Sequence, residues 1–341
     1  MSQPLISVLI PTHNAAPYLN QLCRSVQAQT YENFEVLIAD DGSTDPTLEV
    51  LKPFQADPRF RILSWPKNRG VTAATRVLFD IFRGDYWCHP GADDVLFPQF
   101  IEKRLALMET NPSAAMSYGG IEYIDESGKT TAGYPVPAKL PAQMDGSRAL
   151  SALLQHNFIN TPSIMARSSV TRRVLPFFIA DWRYAQDWYL WLLHFATGGG
   201  LLWDPEPLHQ YRIHSQSLSK SPTKSAVRQA EIRLVPLCGL NAAAQISPIA
   251  AALWEKWKCH LYVLWLRRAL SLCKEKLLEK EWLQIGAQAF YGTARPNISL
   301  LSELFLHGIK IIQVSRKEKN ALAGQSFRVS GLAQINDPIF S

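Results

Sequence analysis

Two acidic pairs, Asp40-Asp41 and Asp93-Asp94, are the most chemically informative feature of this 341-residue sequence. Each follows a short apolar run and lies in a turn-forming stretch, Asp40-Asp41-Gly42-Ser43 and Pro90-Gly91-Ala92-Asp93-Asp94. Four carboxylates on one edge of a molecule repel unless a cation or a donor-rich ligand lies among them. Asp45 needs no such ligand. With Ser43 and Thr44 it offers N-caps ahead of Leu48, Leu51 and Phe54, and Asp is a favoured cap. Capping explains Asp93-Asp94 less well, because Val95-Leu96-Phe97 follows and Pro98 is the better helix starter.

The surrounding elements account for where these pairs fall. Leu5–Ile10, Phe34–Ala39, Phe60–Trp65 and Asp85–His89 read as strands, and helical spacing runs through Tyr18, Leu19, Leu22 and Val26 and again through Val71–Phe82. This alternation implies a parallel sheet with helices on both faces. Such a sheet binds ligands at the carboxyl ends of its strands, where both pairs lie. Further along, Ala114–Tyr118, Gly120–Ile124 and Ser163–Ala166 read as strands and Leu150–His156 as a short helix. Asp187 opens the apolar helix Trp188–Phe195, Trp203–Tyr211 is extended, and Ser215–Ser225 reads as a mobile loop. Beyond Ala226 the chain turns helical, with Leu253–Leu283 and the amphipathic Leu300–Val314. The expected division is 1–220 and 226–341.

Composition narrows the function classes. Hydrophobic residues make up 47% and charged residues 19%, a globular balance. The net charge of +6 is uneven: residues 1–223 hold 19 basic and 21 acidic groups, residues 224–341 hold 16 and 8. Nucleic acid is therefore not the expected partner, whereas an anionic partner for the tail stays open. Five cysteines without close spacing argue against a disulfide framework or a zinc site. With neither a basic n-region and apolar h-region at the start nor an apolar run of about 18 residues, the expected location is the cytoplasm, with peripheral contact at the inner face of the membrane left open.

Four motifs in register, Ser7-Val8-Leu9-Ile10-Pro11-Thr12-His13-Asn14, Ile38-Ala39-Asp40-Asp41-Gly42-Ser43-Thr44-Asp45, Asn68-Arg69-Gly70 and Ala92-Asp93-Asp94, resemble the family-2 glycosyltransferases of the GT-A fold. The resemblance covers about residues 5–120, with weaker echoes to about 215. It implies a mixed, mainly parallel sheet flanked by helices and followed here by a mainly helical region. It also implies an inverting enzyme that uses a nucleotide-sugar donor (a UDP-sugar first), Mn²⁺ or Mg²⁺, and a hydroxyl of a glycan or lipid-linked acceptor in polysaccharide or lipopolysaccharide synthesis.

Residue by residue, the resemblance gives the nucleoside to Pro11, Thr12 and Asp40, with Asn14, Asp41, Arg69 and Asp93 completing the nucleotide set. A carboxylate at Asp40 can accept the imide N–H of uracil or thymine. It gives the metal to Asp94, with His214 as a further ligand or phosphate contact. Hard divalent cations prefer oxygen ligands shared with phosphate. The general base falls on Asp187, which could instead serve only as a helix N-cap. Trp188 and Arg212 are assigned to the acceptor or to a closing loop around Tyr211–Ser219. The sequence departs from the family at Gly91, where an acid is usual, at Gln186, where Glu is usual, and at Thr75-Arg76, which leaves Arg76 a candidate phosphate contact.

Two other classes compete. A nucleotide-sugar-binding scaffold without catalysis would accommodate Gly91 and Gln186. A dinucleotide-dependent oxidoreductase fails, since no GxGxxG follows the first strand. In the C-terminal third, Trp254, Trp257, Trp265 and Trp282 stand beside Lys256, Lys258, Arg267, Arg268, Lys274 and Lys276. Such helices suit either an anionic membrane surface or burial against the catalytic domain or a second copy, and long apolar faces favour burial.

Overall fold

The computed structural model describes residues 3–131, 141–178, 182–215 and 226–274. The Pro- and Ala-rich stretch at 132–140, the loop residues 216–225, and everything after 274, including Lys276, Trp282 and Leu300–Val314, lie outside the described residues.

The N-terminal half alternates as its periodicity requires: β1 (Ile6–Thr12), α1 (Ala16–Gln27), β2 (Phe34–Asp40), α2 (Thr47–Leu51), β3 (Phe60–Ser64), α3 (Val71–Ile81) and β4 (Tyr86–Cys88). Helix α1 buries Leu19, Leu22, Cys23 and Val26, one stripe at three- and four-residue spacing. All seven residues of β2 are buried, as expected of a strand covered on both faces. The next elements are β5 (Val95–Leu96), α4 (Phe100–Glu109), β6 (Ala114–Gly119), β7 (Glu122–Ile124), β8 (Gln143–Met144), α5 (Gly146–Leu153), β9 (Met165–Arg167) and α6 (Ser168–Val174). Then come α7 (Gln186–Ala196), β10 (Gly200–Asp204), β11 (His209–Arg212), α8 (Ala226–Ala243) and α9 (Pro248–Lys274).

The main sheet runs β3-β2-β1-β4-β9-β6-β10-β8. Its first four strands are parallel; β9 enters antiparallel between β4 and β6. Strand β1 therefore sits between β2 and β4, and the chain leaves it in opposite directions. That switch point opens a crevice at the carboxyl ends of the strands. A small second sheet, β5-β11-β7, lies after the second acidic pair. The extended run read as one segment, Trp203–Tyr211, is thus two strands in two sheets, broken after Asp204.

Helices α8 and α9 share a core with α7. Leu234, Val235, Leu240, Leu261, Tyr262 and Trp265 join the cluster that holds Trp188, Trp191 and Leu192. Trp265 is buried, and Trp254 and Trp257 pack against that cluster, so the aromatic side of α9 faces protein. Among the described residues, no helix is long and apolar enough to cross a membrane.

Candidate active site

Strands β1 and β2 end side by side, with Thr12 paired to Asp40. Asp40, the last residue of β2, is buried, and its carboxylate accepts hydrogen bonds from the hydroxyl and backbone N–H of Ser43. Trp65 donates its N–H to the Asp40 carbonyl at 3.1 Å. The exposed Arg69 guanidinium lies 5.0 Å from the Trp65 ring centroid, so a cation–aromatic pair follows the β3 end that bonds the Asp40 backbone. Pro11 and Thr12 end β1 beside it, and the Thr12 hydroxyl is buried with no hydrogen-bond partner among the described residues.

Asn14 and Asp41 are engaged differently from the nucleotide contacts expected of them. The Asp41 carboxylate accepts the backbone N–H of Arg69 at 2.8 Å and of Gly70 at 2.7 Å. It fixes the entry to α3. Asn14, at φ 51°, accepts the Thr44 N–H at 2.8 Å. These two side chains build the loops that hold Asp40. Asp45 caps neighbouring backbone, accepting from Ala16 and Thr47 N–H groups. Arg76 pairs with Asp80 and donates to the Leu175 carbonyl.

The second acidic pair splits into unlike halves. Asp94, the expected metal ligand, is 1% exposed. Its Oδ1 accepts the Arg212 backbone N–H at 3.0 Å and its Oδ2 the Gly91 N–H at 3.1 Å. Burial first, and the neighbouring Asp93 charge second, push its carboxyl well above the usual range. Asp93 is the accessible member: its side chain is 29% exposed, and its Oδ2 lies 2.8 Å from His214 Nε2. Gly91 lies against both carboxylates. A Cβ at that position would meet Asp93 Oδ1 and Asp94 Oδ2, each at 2.8 Å, so a side chain where the family usually has an acid would have to displace both carboxylates.

Arg212 is a pin and not the lid or acceptor contact expected from its loop. It is 2% exposed. Its guanidinium donates to the carbonyls of Asp93 (2.8 Å) and Asp125 (3.0 Å) and to Gln21 Oε1 (2.6 Å). The planar fork suits such a spread of acceptors. It also stacks 4.9 Å over Tyr18, whose ring lies 4.7 Å from that of His214.

Asp187 occupies a separate pocket. The N-cap of α7 is Ala185, so Asp187 is the second helical residue and not the cap. Its Oδ2 accepts the Thr161 hydroxyl at 2.7 Å and the Asn157 amide at 3.3 Å. Burial pushes its carboxyl above the usual range, against the opposing pull of those donors. It lines a cavity of about 30 Å³ together with Thr75, His89, Thr161, Gln186 and Trp191, room for a water or two. Gln186 Oε1 and Trp191 Nε1 are buried there with no hydrogen-bond partner among the described residues. His89, at the end of β4, is held neutral by burial with its pKa down at about 4. It lies four residues before Asp93, so the two carboxylate sites flank one strand end. Trp188, expected at the acceptor, is core instead: it is buried and donates its indole N–H to the Leu153 carbonyl at 2.8 Å.

The family model of glycosyl transferase family 2 matches residues 7–174. An uncharacterized glycosyltransferase of Haemophilus influenzae is 32% identical over 219 residues, 63% of this chain and 68% of that protein. The chain belongs to glycosyl transferase family 2.

As a family-2 member it is a transferase. Chondroitin synthase of Escherichia coli is 34% identical over 157 residues, 46% of this chain but 22% of that enzyme. The structure resembles Staphylococcus aureus TarS 1–349 in complex with UDP-GlcNAc, with a TM-score of 0.57 at 14% identity over 83% of this chain and 86% of that one. That likeness establishes the GT-A fold. Several contributors at the site had no sequence signal: Asn157, Thr161 and His89 around Asp187, and Gln21 and Tyr18 around Arg212. Only their long-range partners reveal them.

Proposed function

We propose that this glycosyltransferase moves a sugar, with inversion, from a UDP-sugar to a hydroxyl of a growing polysaccharide or lipid-linked glycan. The observation that carries the reading is Asp187: a carboxyl raised by burial, oriented by Thr161 and Asn157, beside a small cavity at the end of β4 whose walls are mostly apolar, Phe79, Trp87, Phe178 and Leu190 among them. A base raised towards neutral pH suits proton abstraction. The acceptor oxygen gives its proton to Asp187 as it bonds to the anomeric carbon. The bond from that carbon to the diphosphate breaks with its electron pair, and UDP leaves.

Asp40, paired with Thr12 and bonded through its carbonyl to Trp65, is the proposed base-recognition carboxylate. The UDP-GlcNAc complex of the TarS neighbour supports uridine as first choice, and chondroitin synthase among the relatives supports a polysaccharide product. Asp93 and His214, one hard oxygen donor and one imidazole 2.8 Å apart, fit Mn²⁺ or Mg²⁺ completed by diphosphate oxygens and water. Such an ion supplies Lewis-acid stabilisation of the departing diphosphate. We assign the protein ligands to these two residues, with Asp94 as the buried brace. The packing of α8 and α9 on α7 supports a catalytic unit that extends beyond residue 220, with α9's tryptophans serving the core more than a membrane.

The test is release of UDP from a panel of UDP-sugars with Mn²⁺, by the wild type and by Asp187→Asn. Turnover of one donor that Asp187→Asn abolishes supports the reading; equal turnover by the variant overturns Asp187 as base.

A further inference from the structure

Glu231 lies on α8, outside the stretch matched by the family model, yet it is 1% exposed and points its carboxylate into the catalytic unit. Its Oε1 accepts the backbone N–H of Arg183 at 2.8 Å. Its Oε2 accepts those of Tyr184 at 2.7 Å and Ala185 at 3.2 Å. Those three amides immediately precede α7, and Ala185 is its N-cap. The N-cap Ala185 makes no side-chain cap bond, and within the first turn Asp187 Oδ1 takes only the Trp188 N–H, at 2.6 Å; the carboxylate that holds the three preceding amides comes from 46 to 48 residues away.

The same segment is tied from the other side. The Thr72 hydroxyl, in the first turn of α3, donates to the carbonyl of Trp182. Helix α3 is itself anchored through Arg69 and Gly70 to Asp41. Residues 182–185 are therefore clamped between the nucleotide-side loop and α8, and Asp187 stands two residues beyond the clamp. Gly239 lets α8 approach this closely: a Cβ there would meet Leu192 Cδ1 of α7 at 2.5 Å. A buried carboxylate is costly unless donors satisfy it. Backbone amides at a helix N-terminus are among the strongest such donors.

We infer that Glu231 is a positioning residue for sugar transfer, holding the start of α7 so that the Asp187 carboxylate stays at the Thr161–Asn157 side of its cavity. Through it, the helical region after residue 225 completes the active site without touching donor or acceptor. This inference rests on the reading of Asp187 as the base. Loss of the clamp frees three amides and the first turn of α7. A misplacement of about 1 Å far from the chemistry costs roughly 100-fold in rate.

The test uses the full chain as wild type, Glu231→Gln, Glu231→Ala and Asp187→Asn. Amide hydrogen exchange is followed in peptides covering 182–190 and, as control, 6–12. Turnover is followed as UDP release from the UDP-sugar that the wild type uses fastest, and donor-site integrity as the thermal shift with UDP and Mn²⁺. Glu231→Ala should exchange at least about tenfold faster in 182–190 alone. Its kcat should fall roughly 100-fold with KM for the donor and the UDP shift unchanged. Glu231→Gln keeps one acceptor oxygen and should recover part of both. Unchanged exchange overturns the clamp, and faster exchange with unchanged kcat overturns the positioning role. If Asp187→Asn keeps full turnover, or the wild type turns over no UDP-sugar, the underlying reading fails instead, and exchange alone then decides whether the clamp exists.

Discussion

His214 Nε2 and Asp93 Oδ2 lie 2.8 Å apart, on segments separated by 121 residues of chain. One follows β11 and the other follows β4, so the small second sheet exists at the point where these two side chains meet. Removing either should disable the cation site. For Asp93→Ala and His214→Ala, the Mn²⁺-dependent part of the thermal shift given by UDP should be lost or shrink several-fold, while the shift without metal persists. Calorimetric titration of Mn²⁺ in the presence of UDP checks this.

Asp94 should respond differently from its neighbour. Its two oxygens satisfy the Gly91 and Arg212 amides, and an Asn there keeps only one acceptor. Asp94→Asn should therefore lower folding stability by about 1–3 kcal/mol, the cost of an unsatisfied buried donor, as read by urea unfolding. A variant of wild-type stability with a lost metal response would reverse the roles assigned to the pair.

The activity should carry the signature of a raised carboxyl. Burial raises Asp187, and a base works only when deprotonated. The acid limb of the kcat profile should then lie above the ordinary carboxylate range, with activity falling tenfold per pH unit below it. Asp187→Asn should cost roughly 10²–10⁴-fold in kcat, the usual contribution of a general base, and leave UDP binding intact.

Stability should show the opposite pH trend from activity in the same window. Asp187 and Glu231 are both raised by burial, so the folded state binds more protons than the unfolded one between the ordinary and the raised values. Stability from these groups falls as pH rises through that window. Glu35 is lowered, its Arg83 and Ser7 hydrogen bonds outweighing burial. Its contribution is present above the ordinary Glu value and lost as pH falls through the lowered one. The Tm of Asp187→Asn should accordingly be less sensitive to pH on the alkaline side of the ordinary carboxylate range than that of the wild type.

Much of the fold could be read from the sequence because its signals are local. Alternating apolar runs and helical stripes defined β1 to β4 with their helices, and the acidic pairs marked the crevice edge. What could not be read is set by contacts across the chain. Whether Asp93 or Asp94 faces the crevice depends on a turn that Gly91 permits, and composition does not distinguish the two. Arg212 looked like a loop cation because its five donors find carbonyls and Gln21 only in three dimensions. Trp188 shares a helix with Asp187, and its burial follows from α5 and α7 packing together. Glu231 carries no motif at all; its partners are backbone amides of an unrelated segment.

The most direct test of the central claim is the thermal shift with UDP in Mn²⁺ and in chelator, measured on wild type, Asp187→Asn and Asp93→Ala. Ligands that bind only the folded state raise its apparent stability by mass action. The account requires a metal-dependent shift in wild type and in Asp187→Asn, and its loss in Asp93→Ala. A wild type that ignores UDP in Mn²⁺, or an Asp93→Ala that shifts as the wild type does, would contradict it.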